Sequence, residues 1–227
     1  MSINSGFLLI DKPSGPTSHD VIDELRRITG IRKIGHAGTL DPFASGLLII
    51  AVGREATKNI SRFVKQDKVY LAKLHLGAIS DTYDKTGNIQ ESGMMNQELG
   101  SKEIEKILKE FEGKQKQIPP MFSAKKVGGK KLYELARKGE EIVREPVDID
   151  IEYIKILDYK WPYLKIETRV SSGTYIRALA YDIGKKLGCG AYLEELERTS
   201  IGDYNLTRAN ELKKITRDNW EKCLFQK

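Results

Sequence analysis

Apolar residues recur along this chain at two different periods, and the shorter period predicts strands. Continuous apolar runs at Phe7–Ile10 and Leu47–Val52 are typical of buried strands, and the alternation over Val69–Leu76 is typical of another. Two further stretches, Ile149–Leu157 and Tyr163–Val170, are expected to pair with each other. The short segment between these two would form the connecting turn.

The longer period predicts helices, of which the clearest covers residues 18–29. Its apolar residues fall on one face, Thr17 and Asp20 form a capping-box signature at its start, and Gly30 ends it. The other predicted helical segments are a helix beginning at Ser101 and ending near Gly113, a helix over 174–187, a shorter piece over Ala191–Arg198 and a last helix from Asn210.

Strands mixed with helices, without a regular alternation of the two, favour an α+β fold over a doubly wound one. A chain of 227 residues is long enough for one sizeable core. We therefore expect a single domain over 1–227, with an insertion at about 113–145 and a short helical tail at about 208–227.

The composition fits a globular protein that works in the cytoplasm. Hydrophobic residues make up 40% of the chain and charged residues 31%. No apolar run approaches the ~18 residues of a membrane span, and the N-terminus lacks the pattern of a signal peptide. The two scattered cysteines, Cys189 and Cys223, suit a reducing compartment.

The net charge of +6 admits a polyanionic partner, and segment 113–145 carries nearly all of the excess. This segment alternates charge with aromatic residues and glycines, which suits an arm that grips RNA phosphates and stacks on bases. A solvated charged face is the alternative. Segment 113–145 has nine basic residues against four acidic ones. The basic residues are Lys114, Lys116, Lys125, Lys126, Lys130, Lys131, Arg137, Lys138 and Arg144.

Asp41 lies in an unusual setting, because residues 35–46 are mostly small or apolar and Pro42 follows it directly. Proline and the nearby glycines prevent the segment from continuing as a helix. A partly buried carboxylate needs a cation or hydrogen bonds, so Asp41 requires a partner. It is either a turn cap or a nucleophile or general base held in a pocket.

Several kinds of site are excluded by spacing. The three histidines are far apart along the sequence, and neither cysteine belongs to a CxxC pair. The sequence contains neither a dinucleotide fingerprint nor a phosphate-binding GK[ST] loop. We therefore expect catalysis without a metal or other cofactor.

The Asp41 loop and several other segments, taken in order, resemble the TruB family of bacterial tRNA pseudouridine-55 synthases over roughly residues 6–204. The matching segments are Leu8–Pro13, Lys68–Ala72, Asp81–Asp84, Gln117–Ala124, Gly129–Glu134, Ser171–Leu179 and Leu187–Ala191. The resemblance implies a pseudouridine synthase fold, with a mixed, mostly antiparallel central sheet flanked by helices and a basic insertion that grips RNA.

The resemblance also implies the reaction and its participants. Uridine 55 in the T loop of tRNA would be flipped out, cleaved at its glycosidic bond and rejoined to ribose through C5. Asp41 would be the essential nucleophile or base, Arg177 its counter-ion, and Tyr70 the residue that stacks on the base and removes the C5 proton. The partner would be the T arm of tRNA, and the enzyme a monomer without a protein partner.

Five other residues are implied to bind the substrate. His36 would pack into the RNA where the target nucleotide has left, and Leu196 would line the base pocket. Lys12 would contact a phosphate or brace the loop, Tyr175 would lie at the pocket edge, and Lys130 would contact RNA.

One departure from the family pattern concerns the C-terminus. Family members commonly carry a PUA-type RNA-binding domain, for which no room remains after Tyr204, so we expect salt-sensitive tRNA binding. Two other functions stay open from the residues alone, a catalytically silent RNA-binding or tRNA-folding protein and a glycosidase. The glycosidase lacks a convincing second acid near Asp41.

Overall fold

The computed structural model describes residues 5–92, 99–123, 125–127, 129–136, 139–140 and 142–225. The chain forms two compact units, the first from residues 1–70 and 196–227 and the second from residues 71–195. No helix in the described part of the chain is long and apolar enough to cross a membrane.

Helices and strands alternate irregularly along the chain. The helices are α1 (Ser18–Thr29), α2 (Arg54–Lys58), α3 (Ser61–Val64), α4 (Ser101–Lys109), α5 (Leu132–Ala136) and α6 (Ile176–Leu187). The strands are β1 (Gly6–Lys12), β2 (Ile34–His36), β3 (Ser45–Val52), β4 (Lys68–Leu76), β5 (Ala78–Ser80), β6 (Ile89–Glu91), β7 (Gly113–Gln117), β8 (Lys126–Val127), β9 (Lys130–Lys131), β10 (Val147–Lys160), β11 (Tyr163–Val170), β12 (Ala191–Ile201), β13 (Tyr204–Asn205) and β14 (Asn210–Glu211).

The first unit is organised around β1 and β3, which pair antiparallel along their whole length. The strand order is β14-β1-β3-β12, with β2 also on β3 and β13 on β12. Helix α1 covers one face of these strands, and a cluster around Phe63 covers the other. Both faces are therefore buried, which explains the continuous apolar runs in β1 and β3.

Helix α1 begins and ends where the local signals predict. The Thr17 side chain accepts a hydrogen bond from the Asp20 backbone, and the Asp20 carboxylate accepts one from the Thr17 backbone. Gly30 ends the helix in the left-handed conformation, at φ 71°.

In the second unit the strand order is β4-β11-β10-β7. Strands β10 and β11 form the expected antiparallel hairpin, joined by Trp161 and Pro162. Helix α6 begins at Ile176, two residues later than predicted, and Gly188 ends it in the left-handed conformation. The α+β prediction is confirmed, because most strand pairs are antiparallel and the described residues show no regular βαβ alternation.

Two helix predictions are wrong. Residues 191–198 belong to strand β12 and not to a helix. The sequence pattern is misleading because Ala191 to Leu193 are all buried, so the alternation typical of a strand begins only at Leu196. The tail has no α-helix within residues 208–225. It contains 3-10 turns at Leu212–Lys214 and Trp220–Cys223, and Asn219, just before the second turn, accepts a hydrogen bond from the Thr216 backbone.

Candidate active site

Asp41 lies between β2 and β3, in a segment that we call the Asp41 loop and define as residues 37–47, so that it includes the first three residues of β3. The residue is only partly exposed, and its backbone carbonyl accepts a hydrogen bond of 3.1 Å from the Ala44 amide. A tight turn therefore presents the carboxylate. Four sets of contacts from other elements of the first unit fix this turn.

Lys12, the last residue of β1, is the first anchor of the Asp41 loop. Its side chain is fully buried, and Nζ donates to the carbonyls of Pro13 and Pro16 at 2.8 Å and of Pro42 at 3.4 Å. Burial of the ammonium group lowers its pKa to about 8, although attraction to Asp41 partly opposes the shift. The ammonium group has no exposed surface, so this geometry supports bracing of the loop over contact with phosphate.

Two serines supply the next anchors. Ser18, in the first turn of α1, accepts a hydrogen bond from the Leu40 amide at 2.9 Å and donates to the Leu40 carbonyl at 3.1 Å. Ser14 donates to the Phe43 carbonyl at 2.8 Å. Leu40 and Phe43, on either side of Asp41, are thus tied to the start of α1 and to the segment that precedes it.

Arg198 of β12 is the fourth anchor. Only 1% of this residue is exposed, and its guanidinium donates to the carbonyls of Gly38, Thr39 and Leu47. Its backbone pairs with Gly46, whose φ of +103° and lack of a side chain allow the close approach. A Cβ atom at position 46 would lie 2.4 Å from the Arg198 carbonyl oxygen.

The interior of the first unit is strongly electropositive around these residues. Lys68 is buried as well, and burial, reinforced by Arg198, lowers its pKa to about 8. Burial also lowers the pKa of His36, and the nearby His19 and Arg198 add to this effect. The ring of His36 stands edge-to-face with that of His19, with 6.2 Å between the ring centroids.

Tyr70 and Leu196 also belong to the first unit. Tyr70 is 7% exposed and lies on the buried face of β4, where buried and half-buried residues alternate strictly. Leu196 is 8% exposed and shares a face of β12 with Arg198, two residues further on.

Arg177 is a buried cation of the second unit, in the first turn of α6. Its guanidinium donates to the carbonyls of Thr82 at 3.1 Å and Phe122 at 2.8 Å, and it lies 3.4 Å from the Asp84 carboxylate. The Arg177 and Asp84 side chains are each 5% exposed. Such a charge-assisted contact between buried groups restricts the orientation of the guanidinium.

Asp84 is itself fixed by the turn that contains it. One carboxylate oxygen accepts hydrogen bonds from the Thr82 hydroxyl at 2.9 Å and from both the amide and the hydroxyl of Thr86. Tyr83, between them, adopts a left-handed φ of 64° and stacks on Tyr181 of α6 with 4.3 Å between ring centroids. The turn therefore holds α6 through two neighbouring residues.

The N-terminus of α6 is held by Gln117, the last residue of β7. Its side-chain oxygen accepts from the Tyr175 amide at 2.8 Å, and its nitrogen donates to the Tyr175 carbonyl at 3.0 Å. Tyr175 is the residue before the first helical turn, so Gln117 fixes the entry to the helix that carries Arg177.

The basic segment 113–145 is described in part. Lys114 and Lys116 are exposed on β7, and Lys130 lies in β9, with its side chain outside the described part of the structure. Arg137, Lys138 and Glu141 lie outside the described residues. Arg144 donates to the Pro119 carbonyl at 3.2 Å, within the same segment.

The structure thus collects Asp41, Lys12 and His36 around Arg198 in one unit, and places Arg177 and Tyr175 beside each other in the other. Sequence reasoning missed Arg198, Asp84, Gln117 and Ser18. Asp84 and Gln117 stand in segments already noted for their family resemblance, whereas Arg198 was assigned to a helix that does not form. Within the described residues, no three His, Cys, Asp or Glu side chains are grouped to hold a metal ion.

Comparison with known proteins assigns the chain to a family. A family model described as TruB family pseudouridylate synthase, N-terminal domain, matches residues 26–176. A second, described as tRNA pseudouridylate synthase B C-terminal domain, matches residues 177–226. Together the two models cover most of the chain.

Curated relatives are similar over most of their length. A tRNA pseudouridine synthase B from Protochlamydia amoebophila (strain UWE25) is 48% identical over 201 residues, which are 88% of this chain and 76% of that protein. The protein of the same name from Clostridium novyi (strain NT) is 47% identical over 215 residues, 95% of this chain and 73% of that protein.

A solved structure, that of a Cbf5-Nop10-Gar1 complex, contains a chain that superposes with a TM-score of 0.74 at 30% sequence identity. The superposition covers 97% of this chain and 56% of that chain, so this chain spans a little over half of that protein. The matched family models and the curated relatives together show that the chain belongs to the TruB family of pseudouridylate synthases.

Proposed function

We infer that this protein is an isomerase that converts uridine 55 in the T loop of tRNA to pseudouridine. The observation that carries this function is the 48% identity, over most of both chains, to a relative named for tRNA pseudouridine synthesis. Asp41, Tyr70 and Arg177, the residues implied to do the chemistry, are all present.

The reaction moves the uracil from an N-glycosidic to a C-glycosidic bond. The bond from ribose C1′ to N1 breaks, the base turns, C5 bonds to C1′, the C5 proton leaves and N1 gains a proton. Asp41 would attack the ribose, attack the base or remove a ribose proton, and each of these roles requires an ionised carboxylate held in one place. The four anchors of the Asp41 loop support this requirement.

The other proposed catalytic residues have surroundings that suit their roles. Tyr70 is a buried aromatic ring on a strand, as a residue that stacks on the target base and accepts its C5 proton would be. Arg177 is buried, and the Asp84 carboxylate 3.4 Å from its guanidinium fixes its direction, which suits a counter-ion for Asp41.

The proposed binding residues divide into two kinds. His36 is a half-buried ring that could stack where the uridine has left, and Leu196 would supply an apolar wall. Tyr175 would lie at the pocket edge and Lys130 would contact RNA. Lys12 acts through the loop, as its three carbonyl contacts indicate.

Binding of tRNA would rest on the basic segment 113–145 together with the shape of the T arm. Flipping the uridine out of a folded loop costs a few kcal/mol of unstacking, which phosphate contacts would offset. We propose that the enzyme works in the cytoplasm, where tRNA is matured. It would act as a monomer, without a cofactor or protein partner.

A tritium-release assay tests the function. A tRNA transcript labelled at uracil C5 should lose tritium to water when incubated with the wild type, and Asp41→Asn should release none while still binding tRNA. A transcript with uridine 55 replaced by cytidine is the control for position. Tight tRNA binding without release by the wild type would instead identify a catalytically silent RNA-binding protein.

A further inference from the structure

The guanidinium of Arg198 spans the two ends of the Asp41 loop. Nε donates to the Leu47 carbonyl at 2.8 Å, on the β3 side, and the terminal nitrogens donate to the carbonyls of Gly38 at 3.1 Å and Thr39 at 3.4 Å, on the β2 side. One planar group therefore closes the segment that carries Asp41.

The cation is unlike an ordinary buried arginine in what it binds. Every hydrogen bond recorded for it among the described residues goes to a main-chain carbonyl, and its side chain is nearly inaccessible. It therefore cannot reach a phosphate or a flipped base from this position. Its five donors are spread over three nitrogens in a fixed plane and reach carbonyls on both sides of Asp41, whereas a lysine at the same position would carry all its donors on one nitrogen.

The backbone of the same residue makes a second, independent contact with the loop. Arg198 pairs in parallel register with Gly46, where any side chain would collide with its carbonyl oxygen. Strand β12 thus determines the position of the Asp41 loop through both its backbone and one side chain.

We propose that Arg198 is the positioning residue of Asp41, which fixes the catalytic carboxylate by binding the carbonyls at both ends of its loop. The inference rests on the proposed function of Asp41. A displacement of about 1 Å in a reacting group can lower a rate on the order of 100-fold. Loss of these hydrogen bonds should therefore slow the chemical step and leave tRNA affinity largely unchanged.

Two substitutions distinguish the loss of these hydrogen bonds from the loss of the positive charge. Arg198→Lys keeps the positive charge but cannot bind both ends of the loop, and Arg198→Met removes both. We expect single-turnover pseudouridine formation to fall on the order of 100-fold in Arg198→Lys, with Kd for tRNA within about threefold of the wild-type value. The control is Leu25→Ala, a fully buried position of α1 seven residues beyond Ser18, which should lower Tm without lowering the rate.

Hydrogen exchange provides a readout that does not depend on activity. Amides of residues 37–46 should exchange faster in both Arg198 variants than in the wild type. If Arg198→Met does not fold, the comparison of Arg198→Lys with the wild type is sufficient. A folded Arg198→Lys with a wild-type rate would overturn the inference, as would an equal loss of rate in Leu25→Ala. If the wild type itself lacks activity, the proposed function fails, while loop protection still tests whether Arg198 holds the loop.

Discussion

At the scale of single residues, the most unusual feature is a lysine whose ammonium group is fully enclosed. Lys12 binds three carbonyl oxygens, which satisfy its donors but do not neutralise its charge. The cost of burying the charge appears as the pKa of about 8, well below the value of 10.5 for an exposed lysine.

This pKa predicts a pH dependence of stability. Below about pH 8 Lys12 is charged in both states and the cost is fully present. Between pH 8 and 10.5 the unfolded chain holds more protons than the native protein, so the free energy of unfolding should rise with pH. The gain is limited to about 3 kcal/mol.

Denaturant unfolding of the wild type and Lys12→Met across this range measures the effect, because the titration of every other group is common to both. The difference in unfolding free energy should shift in favour of the wild type as the pH rises. A difference that stays constant from pH 7 to 10.5 would contradict a neutralised Lys12 in the folded protein.

At the scale of elements, the turn from Ser80 to Thr86 fastens helix α6 through the pair of Asp84 and Arg177. Because both side chains are buried, removing the Asp84 charge takes a stabilising contact away from the Arg177 guanidinium. Asp84→Asn should therefore lower stability by about 2–4 kcal/mol and, by loosening the orientation of Arg177, lower the rate of pseudouridine formation at least about tenfold.

Asp81→Asn is the matched control, because Asp81 lies in the same turn but is exposed and bonds only Asn88 among the contacts recorded for it. It should change stability by less than about 1 kcal/mol and leave the rate unchanged. Denaturant unfolding and single-turnover assays of both variants test the prediction, which fails if the two substitutions have equal effects.

The elements also show what a sequence can and cannot predict. Helix α1 was predicted to the residue because Thr17, Asp20 and Gly30 are local signals that act on the backbone beside them. Strand β12 was mistaken for a helix because tertiary packing buries both faces of its first residues. The family resemblance predicts roles for Asp41, Tyr70 and Arg177, whereas Arg198 and Gln117 bind main-chain atoms that are not distinguished by residue type.

At the scale of the whole molecule, positive charge is concentrated in two parts of the chain. The first unit has 17 lysines and arginines against 12 acidic residues, an excess as large as that of segment 113–145. The interpretation that one segment carries nearly all of the charge is therefore incomplete. Arg32 and Lys33 are exposed in the first unit, between α1 and β2.

This distribution predicts that both regions bind tRNA phosphates. The slope of log affinity against log salt should become shallower by about one to two in the double variant Arg32→Gln, Lys33→Gln, and similarly in Lys114→Gln, Lys125→Gln. The control is Lys213→Gln, Lys214→Gln, because both lysines already pair with Glu211.

Filter binding or fluorescence titration at several salt concentrations measures these slopes. The control pair should keep the wild-type slope. An unchanged slope in the Arg32 and Lys33 variant would restrict RNA binding to the basic segment.

The anchors of the Asp41 loop recognise peptide groups, and every amino acid supplies the same carbonyl oxygen. Thr39 could therefore change during evolution and still be held by Arg198, and Leu40 could change and still be held by Ser18. Selection should instead act on the anchoring residues, because their side chains make these hydrogen bonds and cannot be exchanged for others. Mutational tolerance around this aspartate should thus be distributed unevenly, with permissive positions at Thr39 and Leu40 inside the loop and intolerant ones at the anchoring residues outside it.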